Sequence, residues 1–224
     1  MALAHKGLEV ETVPWRFTEK DKLPKPNRGR VPVIVDDDRV VHDSTATADH
    51  LEERYPDRPA LFGGDIGRAL ARFVQNWTET VLLPGLIRLV LLDIHRHCAP
   101  EDQVYFRRSR EERFGALQQV VHDRQTRLPA FRTSLYPPRR TVERQHFISG
   151  KTPAYADYIV FGAFQWARAI SEFEVLAADD PVRIWRGGML DLFDGLARCV
   201  PPTATERALE YTRAAAGLAR PWHD

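Results

Sequence analysis

Strand-like patterns in this chain are confined to its beginning, and this uneven distribution limits the folds it can adopt. Three short segments have the alternation or the β-branched content of strands, namely residues 7–15, 31–35 and 39–42. From Ile66 onward only helical periodicity is found. We therefore predict a small α/β domain, a linker containing proline and glycine, and an all-helical domain, over residues 1–56, 57–65 and 66–224.

The charge balance and the apolar runs exclude several classes of partner. The 224 residues include 32 lysines and arginines and 31 aspartates and glutamates, so the formal net charge is +1. This balance gives no electrostatic reason to expect nucleic acid or a membrane as a partner. The longest apolar run, residues 81–92, is interrupted and too short to span a bilayer. Cys98 and Cys199 are widely separated, which favours reduced thiols and a cytoplasmic location.

Pro32 stands at the start of a predicted strand, where its missing N–H costs the sheet least. Because most X–Pro peptide bonds are trans, the residues alone favour a plain trans proline at a strand entrance. A cis bond between Val31 and Pro32 is the alternative, and it would turn the Val31 backbone outward into a cleft. In either geometry, the backbone groups of Val31 are available to a partner outside the sheet.

A helix is predicted to start at Asp43 and Ser44, and these residues allow two interpretations. Serine and aspartate are common N-caps, so Ser44 as a simple cap is the first interpretation. The second is a ligand site, since the free N–H groups of a helix N-terminus attract carboxylates. Ser44 would then bind a carboxylate and Asp43 an amine, which together describe an α-amino acid head group.

The order of these features resembles that of the glutathione transferase family, and the resemblance covers most of the chain. It rests on the strand that begins at Val31–Pro32, which forms a predicted hairpin with residues 39–42. It also rests on the helix that begins at Asp43–Ser44, the linker and the all-helical region. The segment 150–164, "GKTPAYADYIVFGAF", is similar to the family's folding motif. Details such as "ADYIVFGAFQWARAIS" are most similar to the bacterial and fungal branch that includes β-etherases.

The resemblance implies a fold class of α/β plus all-α, with a thioredoxin-like N-terminal domain followed by an all-helical domain. It implies that Pro32 is a cis-proline and that the Val31 backbone pairs with the cysteinyl part of glutathione. Asp43 and Ser44 would hold the γ-glutamyl end. Glutathione would be the co-substrate, and a homodimer is the family's usual assembly.

The sequence departs from the family pattern in three places. The family's first strand and most of its first helix have no counterpart, so we expect an incomplete thioredoxin-like domain from a truncated N-terminus, and we assign no catalytic residue. Thr47 stands where the family usually has isoleucine, which reduces apolar packing of its helix. Ala154 occupies the cap position three residues before Asp157. Thr152 followed by Pro153 offers a substitute, with the helix starting two residues earlier.

Two further features of the sequence allow a functional interpretation. The segment 95–98, "HRHC", lacks the second ligand pair of a structural zinc site, so we predict no metal. Aromatic residues at helical spacing usually belong to a core. Trp77, however, lies on the helix that faces the active cleft in the family, which makes it a candidate for an apolar substrate pocket.

Two functional hypotheses follow. The first is a glutathione transferase-like enzyme, in which the glutathione thiolate attacks a small apolar electrophile or cleaves an aryl ether. A lowered thiol pKa raises the thiolate fraction at neutral pH, which is what such an enzyme must provide. The second hypothesis is a non-catalytic module that uses the same fold for binding or as a scaffold.

Overall fold

The chain combines a short α/β segment with a larger helical part in the predicted order. A computed structural model describes residues 1–16, 18–25, 29 and 31–199. The N-terminal elements are α1 (Ala2–His5), a 3₁₀ turn (Lys20–Lys22), β1 (Val33–Asp36), β2 (Arg39–His42) and α2 (Ser44–Arg54). Within the described ranges, no helix is both long enough and apolar enough to cross a bilayer.

The predicted hairpin is confirmed. Strands β1 and β2 pair antiparallel, with Val33 opposite His42 and Asp36 opposite Arg39. β-branched residues dominate both strands, and they favour the pleated, half-buried surface that a hairpin offers. The tight connection places Asp37 at φ 54°, a left-handed conformation that aspartate tolerates better than most residues.

The strand predicted for residues 7–15 is wrong. Gly7, at φ 63°, ends the α1 turn, and the segment that follows has no regular secondary structure. A strand requires a hydrogen-bonded neighbour, and among the described residues β1 and β2 pair only with each other. Val10 and Val13 are 54% and 76% exposed, so the alternation of this segment has no face to bury.

The rest of the described chain is helical. The elements are α3 (Asp65–Trp77), a π-helical turn (Thr78–Leu82), α4 (Leu83–His97), α5 (Pro100–Phe114), α6 (Leu117–His122), α7 (Arg124–Ser134), α8 (Tyr136–Val142), α9 (Tyr155–Ile170) and α10 (Pro181–Gly195). The helical pattern from Ile66 predicts a long helix that is kinked near Pro84. The structure has a π-helical turn there, because proline cannot donate the backbone hydrogen bond that an α-helix requires. The pattern of residues 205–219 predicts a last helix, and these residues lie outside the described part of the chain.

Helix α9 runs through the main hydrophobic core. Phe161 and Phe164 are buried, and both rings meet the ring of Trp185 on α10 edge to face at 6.5 Å. A second, smaller cluster lies between α4, α5 and α6, around Leu91, Phe106 and Leu117. The helical part therefore provides the rigid body against which the short N-terminal segment packs.

Helix α9 begins at Tyr155, so the start two residues earlier that Thr152 and Pro153 suggested is wrong. Ala154 is the N-cap and offers no side-chain oxygen, but Asp157 Oδ2 accepts a hydrogen bond from the Ala154 N–H at 3.2 Å. The Tyr155 N–H is satisfied by the Leu61 carbonyl at 2.8 Å. The first N–H of the helix thus has its acceptor in the linker, so tertiary structure determines at which residue the helix begins.

Thr47 on α2 is 8% exposed, and its Oγ1 has no hydrogen-bond partner among the described residues. A buried hydroxyl without a partner loses its hydration and gains nothing in return. We expect Thr47→Val, which has nearly the same shape, to raise the free energy of unfolding by about 1 kcal/mol. Urea unfolding followed by circular dichroism measures this.

Thr133→Val is the matched control for Thr47→Val. Thr133 is exposed on α7, and its Oγ1 already donates to the Pro129 carbonyl at 3.0 Å. The control variant is expected to gain no stability. An equal gain in both variants would show that β-propensity or general hydrophobicity, and not the unpaired hydroxyl, determines the effect.

Candidate functional site

The segment before β1 and the start of α2 meet at one edge of the hairpin. The peptide bond between Val31 and Pro32 is cis, as the family resemblance implied. The Asp43 N–H donates to the Pro32 carbonyl at 3.3 Å, so the two predicted halves of the site are in direct contact. The structure therefore brings Val31, Pro32, Asp43 and Ser44 together.

The backbone of Val31 is open to an outside partner. Strand β1 begins two residues later, and Val31 is 52% exposed. Neither its N–H nor its carbonyl bonds to any residue in the described part of the chain. An extended peptide ligand could use both groups, as a neighbouring strand would.

Asp43 caps helix α2, so the interpretation of Ser44 as the cap is wrong. Asp43 Oδ1 accepts hydrogen bonds from the Thr45 and Ala46 N–H groups at 2.8 and 3.1 Å. Ser44 is the first helical residue, and its side chain is exposed. Aspartate caps as well as serine does, so local propensity alone left the choice between these neighbours open.

The backbone of Asp43 is in a rarely populated conformation, with φ 84° and ψ 135°. Residues other than glycine adopt positive φ values at a cost of about 1–3 kcal/mol, and they do so most often at functional sites. The Asp43 and Ser44 side chains are both exposed, as is Val31. An anionic side chain, a hydroxyl and the free Ser44 N–H are thus combined at the start of α2.

The hairpin is joined to α2 below this edge. Asp36 at the end of β1 accepts a hydrogen bond from the Tyr55 hydroxyl at 2.7 Å, and its second oxygen lies 2.7 Å from His50 Nε2. The Tyr55 bond, and after it the His50 bond, hold the pKa of Asp36 below its usual range. The carboxylate stays ionised and connects the end of β1 to the second half of α2.

Behind the start of α2 lies a cavity of about 10 Å³, between α2, α3 and Tyr155. Its walls include Thr45, Asp49, Arg68 and Gln75. This volume is at the lower limit for one water molecule, so it cannot hold a ligand. The candidate site is therefore the open edge in front of α2.

Tyr155 lies directly behind this edge and was not identified from the sequence. Its hydroxyl donates to the Ser44 carbonyl at 2.7 Å, across 111 residues of chain. In the sequence it is one more aromatic residue of an apolar helix, and no local signal distinguishes it from the core. The contact depends entirely on how the helical part packs on α2.

Trp77 is placed differently from the other predicted site residues. It is partly buried, packs against the main core and does not line the cavity beside Thr45. It shares one face of α3 with Ile66, Leu70 and Phe73, which are 80%, 61% and 71% exposed. The structure therefore does not bring Trp77 into contact with Asp43 or Ser44.

Cys98 follows α4 and is not suited to act as a nucleophile. Burial, together with nearby Asp102, raises the pKa of its thiol to about 11. The thiol is therefore protonated near neutral pH.

Family models match most of the described chain. Residues 1–59 match the glutathione S-transferase N-terminal domain, and residues 69–193 match the C-terminal domain of the same family. The protein named glutathione S-transferase Z1 from Arabidopsis thaliana is 38% identical over 91 residues, covering 38% of this chain and 39% of that protein. A zeta-class glutathione S-transferase from Euphorbia esula is 30% identical over 127 residues, covering 54% and 56%. The chain thus aligns with less than two thirds of either curated relative.

Solved structures show the same fold. Glutathione transferase GSTFuA3 from Phanerochaete chrysosporium superposes with a TM-score of 0.66 at 24% identity, covering 87% of this chain and 82% of that one. A glutathione S-transferase from Ceriporiopsis subvermispora, solved in complex with glutathione, gives 0.61 at 22% identity, covering 87% and 84%. These similarities confirm the predicted fold class, a thioredoxin-like segment followed by an all-helical domain. Because the C-terminal family model alone matches more than half of the chain, the chain belongs to the glutathione S-transferase family.

Proposed function

We propose that this protein binds glutathione along the edge formed by Val31, Pro32, Asp43 and Ser44. The observation that carries the proposal is the hydrogen bond from the Asp43 N–H to the Pro32 carbonyl, at 3.3 Å. This bond brings the unpaired backbone groups of Val31 close to a helix N-terminus with an acid and a hydroxyl. The two parts match the two ends of a γ-glutamyl-cysteinyl peptide.

Each group at the edge suits one part of glutathione. The Ser44 N–H and hydroxyl would bind the γ-glutamyl carboxylate, which the positive end of the helix also stabilises. Asp43 uses Oδ1 for the cap, which leaves Oδ2 for the γ-glutamyl amine. The N–H and carbonyl of Val31 would pair with the cysteinyl residue. Family membership and the glutathione-bound relative support the same ligand.

We further propose that the bound glutathione thiolate reacts with a small apolar electrophile or an aryl ether. Removing the thiol proton supplies the nucleophile, and apolar helix surface would hold the second substrate. Trp77, beside the π-helical turn, is our candidate for that surface, since such turns are frequent at functional sites. Glutathione consumption in the presence of an activated aryl halide and of an aryl ether tests the reaction. Glutathione binding without consumption would favour a non-catalytic binding module.

Ser44→Ala is expected to weaken glutathione binding about fivefold, the value of roughly one hydrogen bond. Since Asp43 provides the cap, the variant is expected to keep the stability of the parent protein. Isothermal titration calorimetry with glutathione measures the affinity, and thermal unfolding measures the stability.

Ser109→Ala provides the control for Ser44→Ala. Ser109 lies on α5, and its hydroxyl donates to the Phe106 carbonyl, away from the proposed site. Its removal is expected to leave glutathione affinity unchanged. Equal affinity of the parent protein and Ser44→Ala would remove Ser44 from the site.

The remaining proposals concern assembly and organisation. We propose a homodimer, supported by the exposed apolar face of α3 that carries Ile66, Leu70 and Phe73, since such faces commonly mark interaction surfaces. The same face would serve a scaffold if the protein proves non-catalytic. We also propose the domain division at residues 56 and 66 and a cytoplasmic location.

A further inference from the structure

Tyr155 connects the helical part of the protein to the first turn of α2. Its hydroxyl donates to the Ser44 carbonyl at 2.7 Å, although Tyr155 itself begins α9. We infer that Tyr155 is a positioning residue of the glutathione site, which holds the Ser44 hydroxyl in place for the γ-glutamyl carboxylate. This inference rests on the proposed function and adds a residue from the helical part to that site.

The phenol ring of Tyr155 is anchored well enough to position another group. The residue is 6% exposed, and its ring meets that of Phe62 edge to face at 5.2 Å. Its N–H donates to the Leu61 carbonyl at 2.8 Å. A hydroxyl on a buried ring that packs against Phe62, in a residue whose backbone is also bonded, has little freedom. The carbonyl that it bonds is therefore held against the body of the helical part.

The first turn of α2 needs such support. Asp43 has φ 84°, and a backbone in this region persists only where surrounding contacts determine it. The hydrogen bonds at Asp43 itself are two cap bonds, the 2.9 Å bond from the Thr47 N–H to its carbonyl, and the 3.3 Å bond to the Pro32 carbonyl. The Tyr155 bond acts on the next residue and comes from a different part of the molecule, so it links the site to the core.

The protonation state of Tyr155 suits a permanent donor. Burial raises the pKa of its hydroxyl to about 12. The group therefore keeps its proton at any pH at which glutathione itself is a useful ligand. Its role is that of a fixed hydrogen-bond donor to a backbone carbonyl, with no proton transfer.

Tyr158, one helical turn along α9, offers a matched control. Its hydroxyl lies 2.7 Å from His5 Nδ1, while His5 Nε2 lies 3.0 Å from the Ala60 carbonyl. The Ala60 carbonyl can only accept a hydrogen bond, so His5 Nε2 must carry the ring proton and donate it. Nδ1 is then the acceptor, and the Tyr158 hydroxyl donates to it. Tyr158→Phe thus removes a tyrosine hydrogen bond of the same kind between the same two parts of the protein, but away from α2.

The experiment compares Tyr155→Phe, Tyr158→Phe, Ser44→Ala and the double variant Tyr155→Phe/Ser44→Ala with the parent protein. Calorimetric titration with glutathione is performed where circular dichroism shows every variant folded. We expect Tyr155→Phe to weaken binding about fivefold and Tyr158→Phe less than about twofold. In the Ser44→Ala background, Tyr155→Phe is expected to cost less than about twofold more, because the two residues act as a unit.

A purely structural role predicts a different result. The loss from Tyr155→Phe would then be equal in both backgrounds, or equal to that of Tyr158→Phe, and either result overturns the inference while the proposed function stands. Failure of the parent protein to bind glutathione would contradict the proposed function and the inference with it. Amide hydrogen exchange adds a measurement without ligand, in which the first turn of α2 should exchange faster in Tyr155→Phe than in Tyr158→Phe. Equal exchange in these two variants also overturns the inference.

Discussion

Asp157→Ala is expected to lower the free energy of unfolding by about 4 kcal/mol, the largest effect we foresee for one carboxylate. Asp157 is fully buried and accepts hydrogen bonds from the Ile148, Ser149 and Ala154 N–H groups, at 2.7, 3.0 and 3.2 Å. Trp185 Nε1 donates a fourth, at 3.0 Å. Truncation leaves these donors without an acceptor, and an unpaired buried donor is costly.

Two variants test this interpretation of Asp157. Asp157→Asn keeps one oxygen acceptor and nearly the same volume, so its loss of stability should be intermediate. Glu112→Ala removes a 69% exposed carboxylate that pairs with Arg108 on α5, and a change within about 0.5 kcal/mol is expected. Denaturant midpoints with unchanged slopes give the differences. A loss at Asp157 no larger than that at Glu112 would contradict the role assigned to the buried carboxylate.

Gly67→Ala is expected to cost about 3 kcal/mol, although alanine is the better helix former. Gly67 lies in the first turn of α3, where a Cβ atom would stand 1.8 Å from the Phe62 carbonyl oxygen. Phe62 cannot easily retreat, because its ring packs against Tyr155 and the Leu61 carbonyl accepts the Tyr155 N–H. The added methyl group must therefore push the linker away from α3.

Gly162→Ala is the same substitution at an open position. Gly162 lies inside α9 with no atom within 4 Å of the added Cβ, so the variant should be more stable by about 0.5–1 kcal/mol. Thermal and urea unfolding of both variants measure the contrast. Should Gly67→Ala gain stability as Gly162→Ala does, the close approach of the linker to α3 would be excluded.

Both positions lie close to the candidate site. Asp157 accepts the Ala154 N–H at the start of α9. The absence of a side chain at Gly67 lets the linker approach α3, where the Phe62 ring packs against Tyr155. Because Tyr155 contacts Ser44, disturbance at either position is transmitted towards the first turn of α2. The proposed glutathione site is therefore supported from the helical part of the protein, although its predicted ligand-binding residues precede residue 45.

Several features of the site could be predicted from short-range patterns. The hairpin follows from two β-branched segments around Asp37, and the helix beginning after Asp43 follows from capping chemistry. Local rules did not decide between Asp43 and Ser44 as the cap, since both residue types serve equally well. In the structure, Asp43 has the non-helical backbone conformation of an N-cap, and Ser44 is already helical.

Other features depend on partners that no local pattern identifies. Residues 7–15 alternate as a strand does, but they have no neighbour to complete a ladder among the described residues. The start of α9 is set by the Leu61 carbonyl, which is 94 positions away in the chain. Tyr155 looked like a core aromatic residue and is also a hydrogen-bond donor to Ser44.

By itself, the sequence determined the order of an α/β segment and a helical domain, the hairpin, and the acidic helix start with Val31 and Pro32 before it. These depend on periodicity, turn chemistry and capping, which act over a few residues. Only the tertiary structure decided that Pro32 contacts Asp43 and that Tyr155 holds Ser44. Such contacts arise from the packing of distant segments, where shape and buried hydrogen bonds outweigh local propensity.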